Sequence, residues 1–363
     1  MSAEDAPELI DPLDQHHIDP RTLARWLADH VPGTDGLKVQ QFQGGMSNPT
    51  YLLTTGDGNR YVLRKKPPGK LLPKAHQIDR EHKVMAALAA TDVPVPRMIA
   101  LCEDASVIGA EFFVMSHVPG RIITHAAMPT VAHADRRALT FSLVDTLAAL
   151  HKVDRIEVGL ERFGRPDGYI TRQTTIWAKQ YEAAKAALPP FDYTKFDWLR
   201  DWVIERAGEA EETSIVHGDF RPGNCITHPT EPRVAAVLDW ELSTIGHPLS
   251  DLAYYCLPYY QPFGDGTGPA GLQGLDLAAE GLPDEEGVLQ RYCDQTGRSG
   301  LANWPLFMAF SFFRIAAIIQ GVAARAAQGN VSSASADADR DLARAGVMAE
   351  IGEGIARGAD LGR

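Results

Sequence analysis

The chain has 363 residues, a formal net charge of −12, a hydrophobic fraction of 45% and a charged fraction of 23%. That length accommodates two units with separate cores, and the acidic balance argues against a nucleic-acid binder, which needs a basic stripe to displace counterions. The cysteines Cys102, Cys225, Cys256 and Cys293 contain no CxxC pair, so no disulfide framework or thiolate metal site is expected, and a reducing cytoplasm is the expected compartment.

Residues 1–19 are acidic, lack an apolar signal core and read as a flexible leader. "PRTLARWLADHV" has helical periodicity and stops at Pro32-Gly33. Three β-like runs follow, at 37–42, 50–55 and 60–64, the last two separated by the hairpin signal "GDGN". A one-faced apolar helix is predicted over 76–91, then strands near 97–102 and 111–118. After Pro119-Gly120 long helices dominate, predicted over 134–154, 169–188 and 194–212. Two short apolar runs, "CITH" and "RVAAVLDW", flank a turn at "PTEP", and a Gly/Pro-rich stretch spans 261–284. The apolar run 305–327 is long enough for a membrane, but Arg314 in its middle favours a buried helix, so no membrane partner is expected. Its Arg314 and Arg325 read as members of structural ion pairs. The pattern predicts an α+β fold with a small sheet-rich N-terminal part and a larger helical C-terminal part.

The chemistry is concentrated in "HGDFRPGN", residues 217–224, directly after the apolar "SIV". Moving a phosphoryl group needs a base or orienting group for the acceptor hydroxyl, metal ligands and cations. Asp219, Arg221 and Asn224 supply those types within one turn, and Asp239 follows Asn224 by 15 residues, room for two short strands that fold back. Asp239 lies after "VAAVL", at a strand end. A metal hydrolase built on His217 and Asp219 lacks a second histidine at ligand spacing.

"HGDFRPGN", "LDWE" and "DLAYY", together with "GGMSNPTYLL", "YVLRKKPPG" and "VLDWELSTIG", resemble the aminoglycoside phosphotransferase and choline-kinase-like family, and most closely the kinase-like domain fused to certain acyl-CoA dehydrogenases. The resemblance covers most of the chain. It implies a two-lobed protein-kinase-like fold, with residues 20–118 as a nucleotide-binding N-lobe and 119–363 as a catalytic and substrate-binding C-lobe. It also implies ATP and Mg2+ as cofactors and a small-molecule hydroxyl acceptor. By position, Asp219 is the catalytic base and Arg221 offsets the charge of the moving group, while Asn224 and Asp239 are metal ligands. Asp251 in "DLAYY" braces the catalytic loop. On the nucleotide side, Ser47 and Asn48 cap phosphates, and Arg64 stands where the family's phosphate-pairing lysine lies, with Glu81 as its partner. Met115 lines the adenine pocket, and the backbone of Ser116 and Val118 reads the base. His217 and His247 are expected to be structural and His151 a packed core residue.

The absence of a long activation loop between Asp239 and Asp251 points to a small acceptor rather than a protein. The resemblance to the dehydrogenase-fused domain implies a hydroxyacyl-CoA as the first expectation, and Leu272, Leu275, Leu277 and Leu282 would suit its acyl chain. An aminoglycoside or another amino alcohol is the alternative, with Asp265, Asp276, Glu280 and Asp284 as its carboxylates. A catalytically inactive kinase-like binding module is the reading from a different class.

Overall fold

The computed structural model describes residues 8–13, 18–43, 48–67, 77–209, 212–264, 271–329 and 337–358. The chain divides into two compact units, one of residues 1–123 and 223–243, the other of 124–222 and 244–363.

The first unit is built on a six-stranded antiparallel sheet. Its strands are β1 (Leu9–Ile10), β2 (Lys38–Phe42), β3 (Thr50–Thr54), β4 (Arg60–Lys65), β5 (Met98–Cys102) and β6 (Phe112–Ser116), in the order β1-β2-β3-β4-β6-β5. The "GDGN" turn sets the β3–β4 register, pairing Thr50 with Arg64 and Thr54 with Arg60. Side-chain alternation then divides the sheet into two faces. Tyr51, Leu53, Leu63, Phe112 and Val114 form one core with Leu23 and Leu27 of helix α1 (Pro20–Leu27). Arg64, on the opposite parity from Leu63, meets helix α2 (Ile78–Leu88), which buries Val84, Met85 and Leu88.

Two expectations change here. The supposed leader is not wholly a leader, because Leu9 pairs with Phe42 and Ile10 with Gln41 at the open edge of β2. Ile18 is buried, and Asp19 caps α1 by accepting the N–H groups of Arg21 and Thr22. Nor does everything after residue 119 leave the first unit. Strand β7 (Arg121–Ile122) pairs with β9 (Cys225–Thr227), which pairs with β10 (Val234–Val237). The amide of Val237 also donates to the Pro94 carbonyl at 2.8 Å. These backbone bonds carry residues 223–243 into the first unit, although nearly a hundred residues separate them from its other strands.

The second unit is helical. Helix α3 (His133–Lys152), α4 (Tyr169–Ala187), α5 (Thr194–Arg206), α6 (Pro248–Cys256), α7 (Glu285–Thr296), α8 (Trp304–Ala327) and α9 (Ala338–Ala356) surround a two-stranded ribbon of β8 (Ser214–Val216) and β11 (Thr244–Gly246). Helix α8 is long and apolar enough to cross a membrane, yet most of its apolar window is buried within this unit. It packs chiefly on α9, α4 and α6, burying Phe307, Phe310, Phe312 and Phe313. The four cysteines are buried and form no disulfide.

His247 shows how the helical unit presents its motif residues. It is the N-cap of α6, and its Nδ1 accepts the Leu249 N–H at 3.2 Å while its ring packs on Phe307. Burial, opposed by Glu212, holds its pKa down at about 4. A cap acceptor must be unprotonated, so this histidine favours the fold above its ordinary pKa near 6.5, and that contribution is lost progressively as pH falls toward 4. Urea melts of the wild type are expected to lose about 2 kcal/mol from this site between pH 7 and pH 5. His247→Asn keeps an acceptor that cannot protonate, so its stability should fall less over the same interval. Equal losses in the two proteins would refute the assignment.

Candidate active site

Each unit gathers its own set of the predicted residues. In the first, strand β4 aims Arg64 at two carboxylates at once. Its guanidinium lies 3.1 Å from Glu81 on α2 and 2.8 Å from Asp239. Glu81 is the partner expected from sequence; Asp239, 175 positions away, is a second partner that no local pattern announced. Burial pulls the Arg64 guanidinium down, but Glu81, Asp239 and Glu241 outweigh it and hold it above its ordinary value. One cation thus faces three carboxylates, an excess of negative charge that suits a divalent cation. Lys65 points to the other face, over the Tyr51 ring, and Lys66 pairs with Glu111 at 2.6 Å. Arg64 is therefore the cation of this cluster, not a neighbouring lysine.

Asp239 reaches this position by an unusual backbone. It adopts φ +64°, the left-handed region that costs a non-glycine residue energy. The turn that follows, Trp240–Leu242, is anchored by buried Trp240, whose Nε1 donates to the Val237 carbonyl at 3.0 Å. Across the β9–β10 hairpin, Leu238 N–H donates to the Asn224 carbonyl at 2.8 Å, so Asn224 and Asp239 lie at the same end of that hairpin. The amide oxygen and carboxylate there are hard oxygen donors of the kind magnesium takes, and the residues fit such an ion. Asn224 is buried and Asp239 about one-third exposed, at 31%.

Of the remaining nucleotide-side residues, Ser47 lies outside the described residues. Asn48 is buried, and its carbonyl accepts the Thr50 hydroxyl at 3.1 Å. Met115 is buried in β6 opposite Val62. Ser116 departs from expectation. Its N–H donates to the Arg97 carbonyl at 2.9 Å and its Oγ accepts from Arg97 N. That amide belongs to the sheet and is not available to a base; Val118 lies beyond the strand end.

In the second unit the "HGDFRPGN" loop starts at the end of β8 and is held from below by Asp251 of α6. The Asp251 carboxylate accepts the His217 N–H at 2.6 Å and the Gly218 N–H at 2.9 Å. Burial would raise its pKa, but His151, His217 and the Gly218 N–H outweigh this and lower it. His151 donates no bulk alone: its Nδ1 meets the Tyr292 hydroxyl at 2.7 Å and its Nε2 lies 3.5 Å from Asp251. Gly218 has φ +86°, a conformation that a side chain would strain. His217 is fully buried, and its Nδ1 accepts the Asp219 N–H at 3.2 Å. These bonds leave Asp219 one-fifth exposed, at 20%, with Arg221 Nε 3.4 Å from its Oδ2. Arg314 makes no ion pair among the described residues, contrary to expectation, and donates instead to the Gly218 carbonyl at 2.6 Å. Arg325 is exposed.

The buried Arg64–Glu81 pair predicts a specific pattern of stability. Arg64→Ala leaves Glu81 with its side chain 2% exposed and without its cation, and should cost about 3–5 kcal/mol in urea unfolding. Adding Glu81→Gln removes the stranded charge and should restore part of that loss. Strictly additive losses in the double variant would show that the pair is not coupled.

The comparisons agree with this geometry. Residues 38–288 match the phosphotransferase enzyme family. The chain is 45% identical over 342 residues to acyl-CoA dehydrogenase family member 11 of Rattus norvegicus, a match covering 92% of this chain and 43% of the relative. It therefore spans less than half the length of that relative. A provisionally named aminoglycoside phosphotransferase from Ralstonia eutropha, known from its crystal structure, is 42% identical and superposes with a TM-score of 0.82, covering 95% of this chain and all of that one. Choline kinase of Cryptosporidium parvum shares the fold at 14% identity, with a TM-score of 0.62 over 94% of this chain and 97% of its own. With a family match across more than half its length and a close structural relative covered end to end, the chain belongs to the phosphotransferase enzyme family.

Proposed function

We propose that this phosphotransferase is an ATP- and magnesium-dependent kinase that phosphorylates a hydroxyl group of a small molecule. The observation that carries the reading is Arg64 bridging Glu81 and Asp239, which ties a phosphate-pairing cation and a metal-binding carboxylate into one charge cluster. In this reading Arg64 contacts the ATP phosphates, with Asn48 capping them ahead of β3. Met115 lines the adenine pocket and the Val118 backbone reads the base. Asn224 and Asp239 hold magnesium, which when bound offsets phosphate charge and draws electron density from the bond to be broken.

Asp219 accepts the proton of the acceptor hydroxyl as its oxygen bonds to the γ-phosphorus. The bond from that phosphorus to the β–γ bridging oxygen breaks, and ADP leaves with the bonding electrons. Arg221 offsets the charge on the moving phosphoryl group. The loop geometry supports these roles, because the Asp251 brace and the His217 contact fix the backbone on both sides of Asp219 while its carboxylate stays accessible. A positioned base contributes roughly 10²–10⁴ in rate. Asp219→Asn is expected to lose turnover by that factor and keep Mg–ATP affinity, whereas Asp239→Ala should lose magnesium-dependent ATP binding by calorimetry. Asp219→Asn turning over at more than a tenth of the wild-type rate would sink the base assignment.

For the acceptor we favour a hydroxyacyl-CoA over an aminoglycoside. A polycation needs unoccupied carboxylates, and those described in the 271–284 segment serve the fold. Asp276 accepts the Ala279 N–H, Glu280 pairs with Arg136 at 2.6 Å, and Asp284 caps α7 through Gly287 N–H at 2.8 Å. The leucines contribute less to this choice than their sequence suggested, since Leu272 and Leu282 are buried in the unit's core. Asp265 lies outside the described residues. The rat relative's name joins a similar chain to acyl-CoA chemistry, which supports the same choice. Comparing kcat/KM for a 4-hydroxyacyl-CoA and for kanamycin decides it, with the acyl-CoA expected to be turned over faster and the reverse order ending the idea.

A further inference from the structure

The loop that carries Asp219 is held by more than Asp251. One helical turn beyond Asp251 on α6, Tyr254 hydrogen-bonds through its phenol to the Asp219 carboxylate. The i, i+3 spacing puts both residues on one face of the helix, so α6 supports the loop backbone with one and the side chain with the other. Helix α8 adds Arg314, whose guanidinium donates to the Gly218 carbonyl at 2.6 Å and lies 5.0 Å from the Tyr254 ring centroid and 5.6 Å from that of Trp177 on α4. Arg314 is 7% exposed, its Nε has no hydrogen-bond partner, and it makes no ion pair among the described residues. A buried guanidinium without a counter-charge is expensive, and stacking between two rings offsets only part of that cost. Its position therefore calls for a function.

We propose that Tyr254 and Arg314 are positioning residues for Asp219. The phenol holds the carboxylate at one fixed rotation, and the guanidinium immobilises both the Gly218 carbonyl and the ring of that tyrosine. The proposal rests on Asp219 being the acceptor base. The backbone of Gly218 is then held on both sides, its N–H by Asp251 and its C=O by Arg314. A carboxylate that must take a proton from one direction loses rate if it swivels, because a near-attack geometry has to be found anew at each encounter. The other groups facing Asp219 are Arg221 at 3.4 Å on its own loop and His217, whose Nδ1 takes the Asp219 N–H. Asp251 acts on the loop backbone and Arg314 acts through the Gly218 carbonyl and Tyr254. Burial holds the Tyr254 phenol well above its ordinary pKa, so it stays a donor throughout the working range.

The test follows the Asp219 carboxyl by 13C NMR in the full chain, assigned with Asp219→Asn, alongside steady-state ADP release from Mg–ATP with a 4-hydroxyacyl-CoA. In Tyr254→Phe the Asp219 carboxyl resonance at fixed pH should shift, since a hydrogen bond to it has been removed. Turnover should fall about tenfold, with KM for ATP unchanged. Arg314→Lys, which keeps a donor and a charge, should retain more turnover than Arg314→Met. An unmoved Asp219 carboxyl resonance in a folded Tyr254→Phe protein overturns the proposal whatever the activity of Asp219→Asn. A moved resonance with Asp219→Asn still active also overturns it, by removing the base that the pair would serve. If Tyr254→Phe does not fold, Arg314→Lys decides. Faster amide exchange at Asp219 with lower turnover supports the proposal, and wild-type values of both refute it.

Discussion

The Asp251 carboxylate is the point on which the loop chemistry depends. It is buried, accepts two successive backbone N–H groups from the loop, and is itself steadied by His151. A buried carboxylate survives only if its lone pairs are satisfied, and here the groups that satisfy it are the backbone of the residues that must be placed. The constraint works in both directions. The loop conformation keeps Asp251 ionised, and ionised Asp251 keeps the loop in a conformation that needs a glycine at 218.

The same economy recurs in the first unit. Arg64 is compatible with burial because Glu81 and Asp239 surround it, and Asp239 tolerates a left-handed backbone because Trp240 locks the turn behind it. Neither feature stands alone. A buried guanidinium, its buried partner and a carboxylate at a strand end are mutually stabilising, so the three groups are held in place by one another. An arginine suits this position because its planar fork serves two carboxylates at once, where a lysine offers a single point charge.

Polar residues that looked available for substrate serve the fold, and an arginine expected in an ion pair meets the motif loop instead. Glu280 and Asp284 tie down the 271–284 segment, and Ser116 N–H completes the sheet. Arg314, in the middle of the most apolar helix, is instead the group that meets the loop carbonyl. Composition alone ranks these residues the other way, because it counts charges without their partners.

Local signals in the sequence were enough for the strand–turn–strand units, the amphipathic helices and the spacing of "HGDFRPGN", since each depends on residues a few positions apart. Period-two alternation put Arg64 on the opposite face from Leu63, and the i, i+3 and i, i+4 pattern marked α2 as the helix bearing Glu81. The fold class, the family and the order of the motif residues were therefore readable from the chain itself. Tertiary structure decided what distant segments do to one another. It recruited Leu9–Ile10 to an open strand edge, carried residues 223–243 back to the first unit through β7, gave Arg64 a second carboxylate 175 positions away, and set Arg314 between two rings. Such contacts leave no periodic trace, because backbone pairing and charge pairing accept many sequences, and only the packed chain determines which groups are within reach.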